Sequence, residues 1–566
     1  MFKRMHRQNV VSIWLQRTQR AFVSRPNRLV VALWMVCAQA LPVLAQTQDA
    51  GLGVPKVNGT SLPSLGDNAE LSAAAERRIG DRIAASIYRD PDYVDDPVLV
   101  DYLQGIWQPL MAAARARGEL HAELQERFAW TVFLIRDRTV NAFALPGGYF
   151  GVHLGLISTV GNRDELAAVL GHEMSHVTQR HISRLLTQQT RQAPWLIGAM
   201  ILGALAAGKN PQVASAAIVG GQAAAAQTQL NFSRDMEREA DRIGFGVMLD
   251  AGFESRGVVS MFEKLQQASR LSDNGSFPYL RSHPLTTQRI GEAQARLQLA
   301  PSSTADIGEA GRARAAQALV LHAMMAARAR VLADPGVDVL RPLVVEAQQL
   351  SSTAQSAALR LSVDPLAVDA RGAGALYAGA LAAARLRDFA LAQSLVARLK
   401  LLTSSNADNA VSPDLSQVVA LLALEVELLA GQVPVSAASI DLNRSLPRAE
   451  LLIKARAMLA AGRAQDVSNR LSTWVTGHPQ DALAWQLLAV AYANQNQNVR
   501  AIRADAESRF SELDYAGALD RLRAAQSMIR SQPGSADFVE GSIIDTRARQ
   551  LDLLVKEQAL QDKLDR

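Results

Sequence analysis

The stretch ELAAVLGHEMSH, residues 165–176, decides how the first half of this 566-residue chain is interpreted. Its Glu, Leu and Ala residues favour an α-helix, and positions four apart in a helix lie on one face. His172 and His176 can therefore bind one Zn²⁺ from the same side. Glu173 lies beside them and can act as the general base toward a zinc-activated water.

A catalytic zinc site of this kind needs a third protein ligand, and residues 233–241 offer one. Glu237 and Asp241 are four apart on a second predicted helix, so Glu237 can complete a His₂Glu site. Asp241 can lie behind it, either orienting an imidazole N–H or exchanging protons with the substrate. Glu239 is a rival ligand that faces another side of the helix. The alternative for the first motif is a helix that carries two histidines and a glutamate on its surface by chance.

The two motifs together resemble the M48 family of zinc metallopeptidases over about residues 70–300. Three shorter stretches fit the same family: NAFALPGG at 141–148, FSR at 232–234, and SHP at 282–284 followed by Arg289-Ile290. The resemblance implies a zincin-like domain with one Zn²⁺ per subunit. It implies that His172, His176 and Glu237 hold the metal and that Glu173, with Asp241, performs catalysis.

Residues 128–135 and 149–156 predict strands, and the segment between them is extended until Pro146-Gly147-Gly148 breaks it. We expect a small sheet whose edge lies along the active-site cleft and pairs with an extended substrate by strand addition. An ordinary β-hairpin beside the helix is the alternative. The residues predicted to form this substrate edge are Asn141, Phe143, Ala144, Gly147 and Gly148.

His283 lies between a predicted loop and Pro284, so its segment can move. A zinc ion with three protein ligands has a free position, which His283 can fill as a fourth ligand that keeps the enzyme latent. The alternative is a hydrogen bond near the cleft or a contact with substrate. His181 follows His172 by nine residues, and we interpret it as structural or surface, because a continuous helix would turn it to the opposite face.

Residues 1–45 contain seven Lys and Arg residues and no acidic residue, and an apolar run lies near the end of this stretch. They predict a signal peptide cleaved after Ala45, with an uncleaved anchor as the alternative. Removing them takes the formal net charge from +5 to −2, so no electrostatic argument for nucleic acid remains. We expect a periplasmic protein whose membrane contact is peripheral at most.

We expect a mainly α-helical chain with a linker at 46–68, a protease domain with a small β-sheet at 69–300, a linker at 301–311 and a helical solenoid at 312–566. Trp485-x-x-Leu488-Ala489-x-x-Tyr492 matches the opening of a tetratricopeptide repeat, and similar positions recur 34 residues earlier at Leu451, Ala455 and Met458. The apolar segments 194–208 and 213–225 are too short to span a bilayer as helices and can cap the cleft, touch a membrane or contact a partner. Burial as ordinary core helices is one alternative, and a membrane-spanning hairpin is another.

These observations predict an exported zinc endopeptidase. The family resemblance implies that it degrades misfolded or stalled envelope proteins, above all outer-membrane β-barrel proteins, and assists their assembly like a chaperone. The expected partners are unfolded or misassembled envelope proteins and, through the repeats, the outer-membrane β-barrel assembly machinery. Two alternatives stay open: a client-binding scaffold or chaperone with a vestigial metal site, and a membrane-embedded M48 protease.

Overall fold

The computed structural model describes residues 71–189, 232–271, 277–299, 308–349, 365–404, 413–531 and 538–564. The expected signal peptide at 1–45, the linker at 46–68, the apolar segments at 194–208 and 213–225, and most of the linker at 301–311 lie outside these residues. The described residues belong to a single compact unit. None of the helices within these ranges is long and apolar enough to cross a membrane.

The first half of the described chain combines helices with a small sheet. Side chains cap two of its helices: the Asp96 carboxylate accepts a hydrogen bond from the Leu99 amide, and the Asn162 side-chain oxygen accepts from the amides of Asp164 and Glu165. The elements are α1 (Ala73–Tyr88), β1 (Tyr93–Val94), α2 (Pro97–Ala116), α3 (Ala122–Arg127), β2 (Thr131–Ile135), β3 (Ala142–Leu145), β4 (Tyr149–His153), α4 (Leu154–Thr159), α5 (Arg163–Thr178), α6 (His181–Gln189), α7 (Arg234–Asp250), α8 (Arg256–Leu271), α9 (Tyr279–Ser282) and α10 (Thr287–Leu299).

The sheet has the strand order β1-β2-β4-β3 among the described residues. β4 is buried along its whole length and lies in the middle, parallel to β2 and antiparallel to β3. β3 is therefore an edge strand, as the sequence predicted. The parallel β2–β4 pair and the two-residue strand β1 were not predicted, because the sequence pattern favours neighbouring strands joined as a hairpin.

α5 lies at the centre of this half and packs against α7, α8, α2 and β3. Its contact with α7 is unusually close, because Gly171 of α5 faces Gly244 of α7, where a Cβ on Gly244 would lie 2.9 Å from the Gly171 carbonyl oxygen. The continuous helix that was expected to run from His172 through His181 is wrong. The helix ends at Thr178, and Arg180 adopts a left-handed φ of 55° before α6 begins.

The second half is a stack of helices in which neighbours along the chain pack on one another, as expected for a helical solenoid. Trp485 and Leu488 are buried in one helix, and Leu451 and Ala455 are buried in an earlier one, at the positions that the repeat pattern aligned. The elements are α11 (Glu309–Ala333), α12 (Val337–Gln349), α13 (Pro365–Arg385), α14 (Phe389–Ser404), α15 (Pro413–Leu429), a 3₁₀ turn (Val435–Ser439), α16 (Arg448–Ala460), α17 (Ala464–Gly477), α18 (Ala482–Asn494), α19 (Asn498–Ser511), α20 (Tyr515–Ser531) and α21 (Phe538–Leu564).

The two halves share one hydrophobic core, which runs from Ala73 to Ala504. At the start of α2, the buried Arg328 guanidinium of α11 binds Asp96 and Glu425, each at 2.7 Å. Arg448 of α16 likewise binds Asp95 at 2.8 Å. A mainly α-helical first half with a small sheet, followed by a helical solenoid, confirms the predicted fold class. Within the described ranges the two halves are joined by this common core.

Candidate metal centre and its surroundings

Two helices and one turn bring four ligand side chains together. On α5, the Nε2 atoms of His172 and His176 lie 3.0 Å apart. Glu237 of α7 places carboxylate oxygens 3.5 Å from His172 Nε2 and 3.4 Å from His176 Nε2. His283, directly after α9, places Nδ1 2.9 Å from Glu237 Oε1 and 3.3 Å from His172 Nε2. One ligand atom from each of the four lies within 4.8 Å of the others.

These spacings fit a tetrahedral metal ion. Ligands about 2.1 Å from a zinc ion at tetrahedral angles lie roughly 3.4 Å from one another. The five nitrogen and oxygen pairs measured above are separated by 2.9–3.5 Å, and all four side chains are buried. Burial alone would lower the pKa of His172, but Glu237 and Asp241 raise that pKa to about 10. The centre therefore favours positive charge, which a divalent cation supplies.

Behind His172 lies a carboxylate paired with a guanidinium. Asp241 Oδ1 is 3.0 Å from His172 Nδ1, the ring nitrogen that faces away from the cluster. Arg289 holds the same carboxylate at 2.6 and 2.8 Å, and its Nη1 binds Glu237 Oε2 at 2.7 Å. Burial opposes ionisation of Asp241, but hydrogen bonds from Arg289 and His172 lower its pKa to about 2. Of the two roles predicted for Asp241, the geometry favours orienting the imidazole.

Behind His176 lies His181, which the sequence analysis placed on the opposite face of a continuous helix. The break at Arg180 instead turns the fully buried His181 ring back toward the centre, with Nδ1 2.9 Å from His176 Nδ1. Its Nε2 lies 3.0 Å from Glu239 Oε2. Burial lowers the pKa of His181 to about 4. His181 is absent from the four-residue cluster, as predicted, but it contacts a ligand directly.

Glu173 lies next to the ligands. Its side chain is buried, and its carboxylate interacts with the backbone of Ala144 on β3. His283 Nε2 lies 3.4 Å from Glu173 Oε1. Burial raises the pKa of Glu173 above its ordinary value. A carboxylate in this environment is a stronger base than one exposed to solvent, as a proton acceptor requires.

Only some of the residues predicted to form the substrate edge lie on the outer strand of the sheet. β3 packs against α5, and its half-buried Phe143 and Ala144 lie on the outer strand. The Asn141 carbonyl oxygen accepts a hydrogen bond from the His153 amide inside the sheet. Gly147 and Gly148 form the β3–β4 turn at φ of 74° and 78°, and their carbonyls accept hydrogen bonds from the amides of residues 129 and 131. These two glycines therefore do not offer free backbone to a substrate.

Known proteins are similar in sequence to the region around this centre. The model of peptidase family M48 matches residues 102–297. A beta-barrel assembly-enhancing protease from Vibrio cholerae is 32% identical over 278 residues, 49% of this chain and 53% of the relative. The Escherichia coli protein of that name is 32% identical over 268 residues, 46% and 50% of the two chains. A mitochondrial metalloendopeptidase from Arabidopsis thaliana is 31% identical over 164 residues, 29% and 31%. The chain spans about half the length of the bacterial relatives.

Proposed function

We propose, from the premise that this chain carries a peptidase family M48 domain at residues 102–297, that it is a zinc-dependent endopeptidase. One observation carries the proposal. A buried cluster of four ligand side chains lies directly beside Glu173, a buried carboxylate whose pKa is raised by burial. A site that only bound metal for stability would have no use for a basic side chain at that position.

Each residue of the proposed active site has a separate role in peptide hydrolysis. Zn²⁺, held by His172, His176 and Glu237, would supply Lewis-acid activation of the scissile carbonyl and of a water molecule. Glu173 accepts the proton of the attacking water and passes it to the leaving amine nitrogen. Asp241 keeps the His172 ring oriented, and β3 holds the peptide extended beside α5.

Glu173→Gln tests this assignment. The variant should still bind one zinc per chain, because the ligands are unchanged. Cleavage of an unfolded protein should fall by about 10²–10⁴-fold, because the proton acceptor is lost. Zinc content is measured by atomic absorption and cleavage by gel or mass spectrometry, with Glu263→Gln, an exposed site on α8, as the matched control. Wild-type cleavage by the Glu173→Gln variant would sink the proposed mechanism.

The clients we propose are misfolded or stalled envelope proteins, above all outer-membrane β-barrel proteins, which the chain would degrade or help to assemble in the periplasm. Support comes from the names of the bacterial relatives, from the basic and apolar N-terminal stretch, and from the helical stack, which suits binding of extended segments. The same stack is our candidate contact for the β-barrel assembly machinery. Capture of clients by the Glu173→Gln variant in periplasmic extract tests both, and a client-binding scaffold without cleavage is the second candidate.

A further inference from the structure

His181 begins α6 at the point where the backbone reverses direction after α5. Its ring is fully buried, and its two nitrogen atoms face two different partners. Nδ1 lies 2.9 Å from His176 Nδ1, and Nε2 lies 3.0 Å from Glu239 Oε2. Arg184, one turn later on α6, binds the same Glu239 oxygen at 3.0 Å. A continuous series of polar contacts thus runs from His176 to a half-buried carboxylate on α7.

Only one arrangement of protons fits this series when His176 binds a metal through Nε2. His176 must then carry its proton on Nδ1 and donate it, so His181 Nδ1 must be the acceptor. A neutral His181 that accepts at Nδ1 carries its own proton on Nε2, where it donates to the Glu239 carboxylate. Each contact in the series therefore pairs a donor with an acceptor, with no frustrated hydrogen bond.

We infer that His181 is a positioning residue of the metal centre, one that fixes the ring orientation and tautomer of His176 and passes that constraint to Glu239 and Arg184. The inference rests on the proposed zinc site. Its counterpart is the series behind His172, where Asp241 is the acceptor and Arg289 holds Asp241. Each of the two imidazole ligands then has a supporting series of contacts behind it. Each series includes a carboxylate on α7, the helix that also supplies Glu237.

The rival explanation is that His181 only fills space beside Phe232, whose ring stacks on His176 at 3.8 Å. Two substitutions separate the explanations because they change shape and polarity in opposite directions. His181→Phe keeps a ring of similar volume but removes the acceptor. His181→Asn loses volume, but its side-chain oxygen occupies about the place of the imidazole Nδ1 and can accept from His176.

Zinc affinity of the full-length protein, measured by competition with a chromophoric chelator, gives the readout. We expect His181→Phe to bind zinc about 10–100-fold more weakly, the usual effect of losing the partner of a ligating histidine. His181→Asn should stay within about threefold of wild type. The absorption spectrum of the Co²⁺-loaded protein should change with the Phe variant and be restored with the Asn variant. A space-filling role predicts the reverse order, and that result would overturn the inference.

Two further variants keep the outcome interpretable. His322→Phe replaces a buried histidine that bonds the Val160 carbonyl far from the centre, and it should leave zinc affinity unchanged. Glu239→Ala removes the far end of the series at a side chain 33% exposed, so it tests the inference even if His181→Phe does not fold. It should weaken zinc binding several-fold, and wild-type affinity would count against the inference. A wild-type protein that binds no zinc would instead refute the proposed function.

Discussion

His283 lies between a proposed metal ligand and the proposed proton acceptor. One ring nitrogen faces the ligand Glu237 at 2.9 Å, and the other faces Glu173, the proposed proton acceptor, at 3.4 Å. The ring is fixed by Tyr279, which stacks on it with centroids 4.6 Å apart, and the following carbonyl, of Pro284, accepts a hydrogen bond from Arg289 at 3.0 Å. If His283 keeps the enzyme latent, it has to leave this position between Glu237 and Glu173 before a substrate is cleaved.

Replacing His283 with Ala should therefore raise cleavage. Three ligands stay in place, so zinc should be retained, while the fourth position and Glu173 become accessible. We expect degradation of an unfolded protein, and self-cleavage, to increase several-fold. Ser282→Ala, at the neighbouring position, serves as the control. A lower rate would indicate that His283 takes part in catalysis or substrate binding, and unchanged rates against both substrates would exclude the switch.

The spacing of residues predicted which side chains meet at the centre but not what holds them. His172 and His176 share a face in any helix, and Glu237 and Asp241 share another, so the ligand set follows from periodicity and one long-range pairing. His181 could not be assigned in this way, because its contact depends on one residue, Arg180, leaving the helical conformation. Arg289 was visible only as part of a family-like stretch, and its bonds to Glu237 and Asp241 require the tertiary fold.

At the scale of elements, the metal centre depends on how closely α5 and α7 approach. Their contact lies at Gly171 and Gly244, one residue before His172 and seven after Glu237. A Cβ on Gly244 would lie 2.9 Å from the carbonyl carbon and oxygen of Gly171 and 3.0 Å from the His172 amide nitrogen. All three atoms belong to the backbone, so the clash cannot be relieved by a change of side-chain rotamer and the helices must separate.

Gly244→Ala should consequently weaken both folding and metal binding. Overpacking of this kind costs about 1–3 kcal/mol, and the shift of α7 carries Glu237 and both anchoring series away from α5. Gly105→Ala is the matched control, because that helical glycine on α2 is exposed and has nothing within 4 Å of its would-be Cβ. It should stabilise the protein by about 0.5–1 kcal/mol through helix propensity alone. Chemical denaturation with and without zinc measures both effects, and equal behaviour of the two variants would contradict this account.

The sheet illustrates where prediction from local pattern ends. The apolar residues of β2, β3 and β4 indicated three extended segments, and each contains a strand. The predicted bounds are wrong at two ends: β2 begins only at Thr131, and residues 154–156 belong to α4 instead of a strand. Which strands pair was not encoded locally: the chain passes the place of β4, forms the edge strand β3, and returns between β3 and β2. That order brings the edge beside α5, so the feature most relevant to substrate binding is a consequence of topology.

At the scale of the whole molecule, ion pairs and packing join the helical stack and the protease half into one body. The Asp95-Asp96 pair at the start of α2 binds Arg448 and Arg328 of the stack, and the Asp101 carboxylate accepts from the Ala449 amide at 2.8 Å. α2 in turn packs against α5 and α7, the two ligand helices.

A second contact between the halves combines the apolar side chain of Leu513 with two acidic residues, Glu512 and Asp95. Leu513, in the α19–α20 turn, packs with the cluster that contains Ile83 and Phe133 of the protease half. The preceding residue, Glu512, is drawn toward that interface, where burial and then Asp95 raise its pKa to about 7. A carboxyl group with a raised pKa favours the folded state when protonated. Its contribution to stability is therefore fully present below about pH 4.5 and is lost as pH rises through 7.

Glu512→Gln should remove this pH dependence. Gln resembles the protonated carboxyl, so the variant should match wild type near pH 4.5 and exceed it in free energy of unfolding at pH 8. The expected gain is about 1–2 kcal/mol, less than the full pKa difference implies, because the side chain is partly exposed and solvent screens it. Urea denaturation at both pH values measures the difference, and Glu557→Gln, exposed on α21, is the control. A gain at pH 4.5 equal to that at pH 8 would show that Glu512 acts through packing, since only a titrating carboxylate loses its cost when protonated.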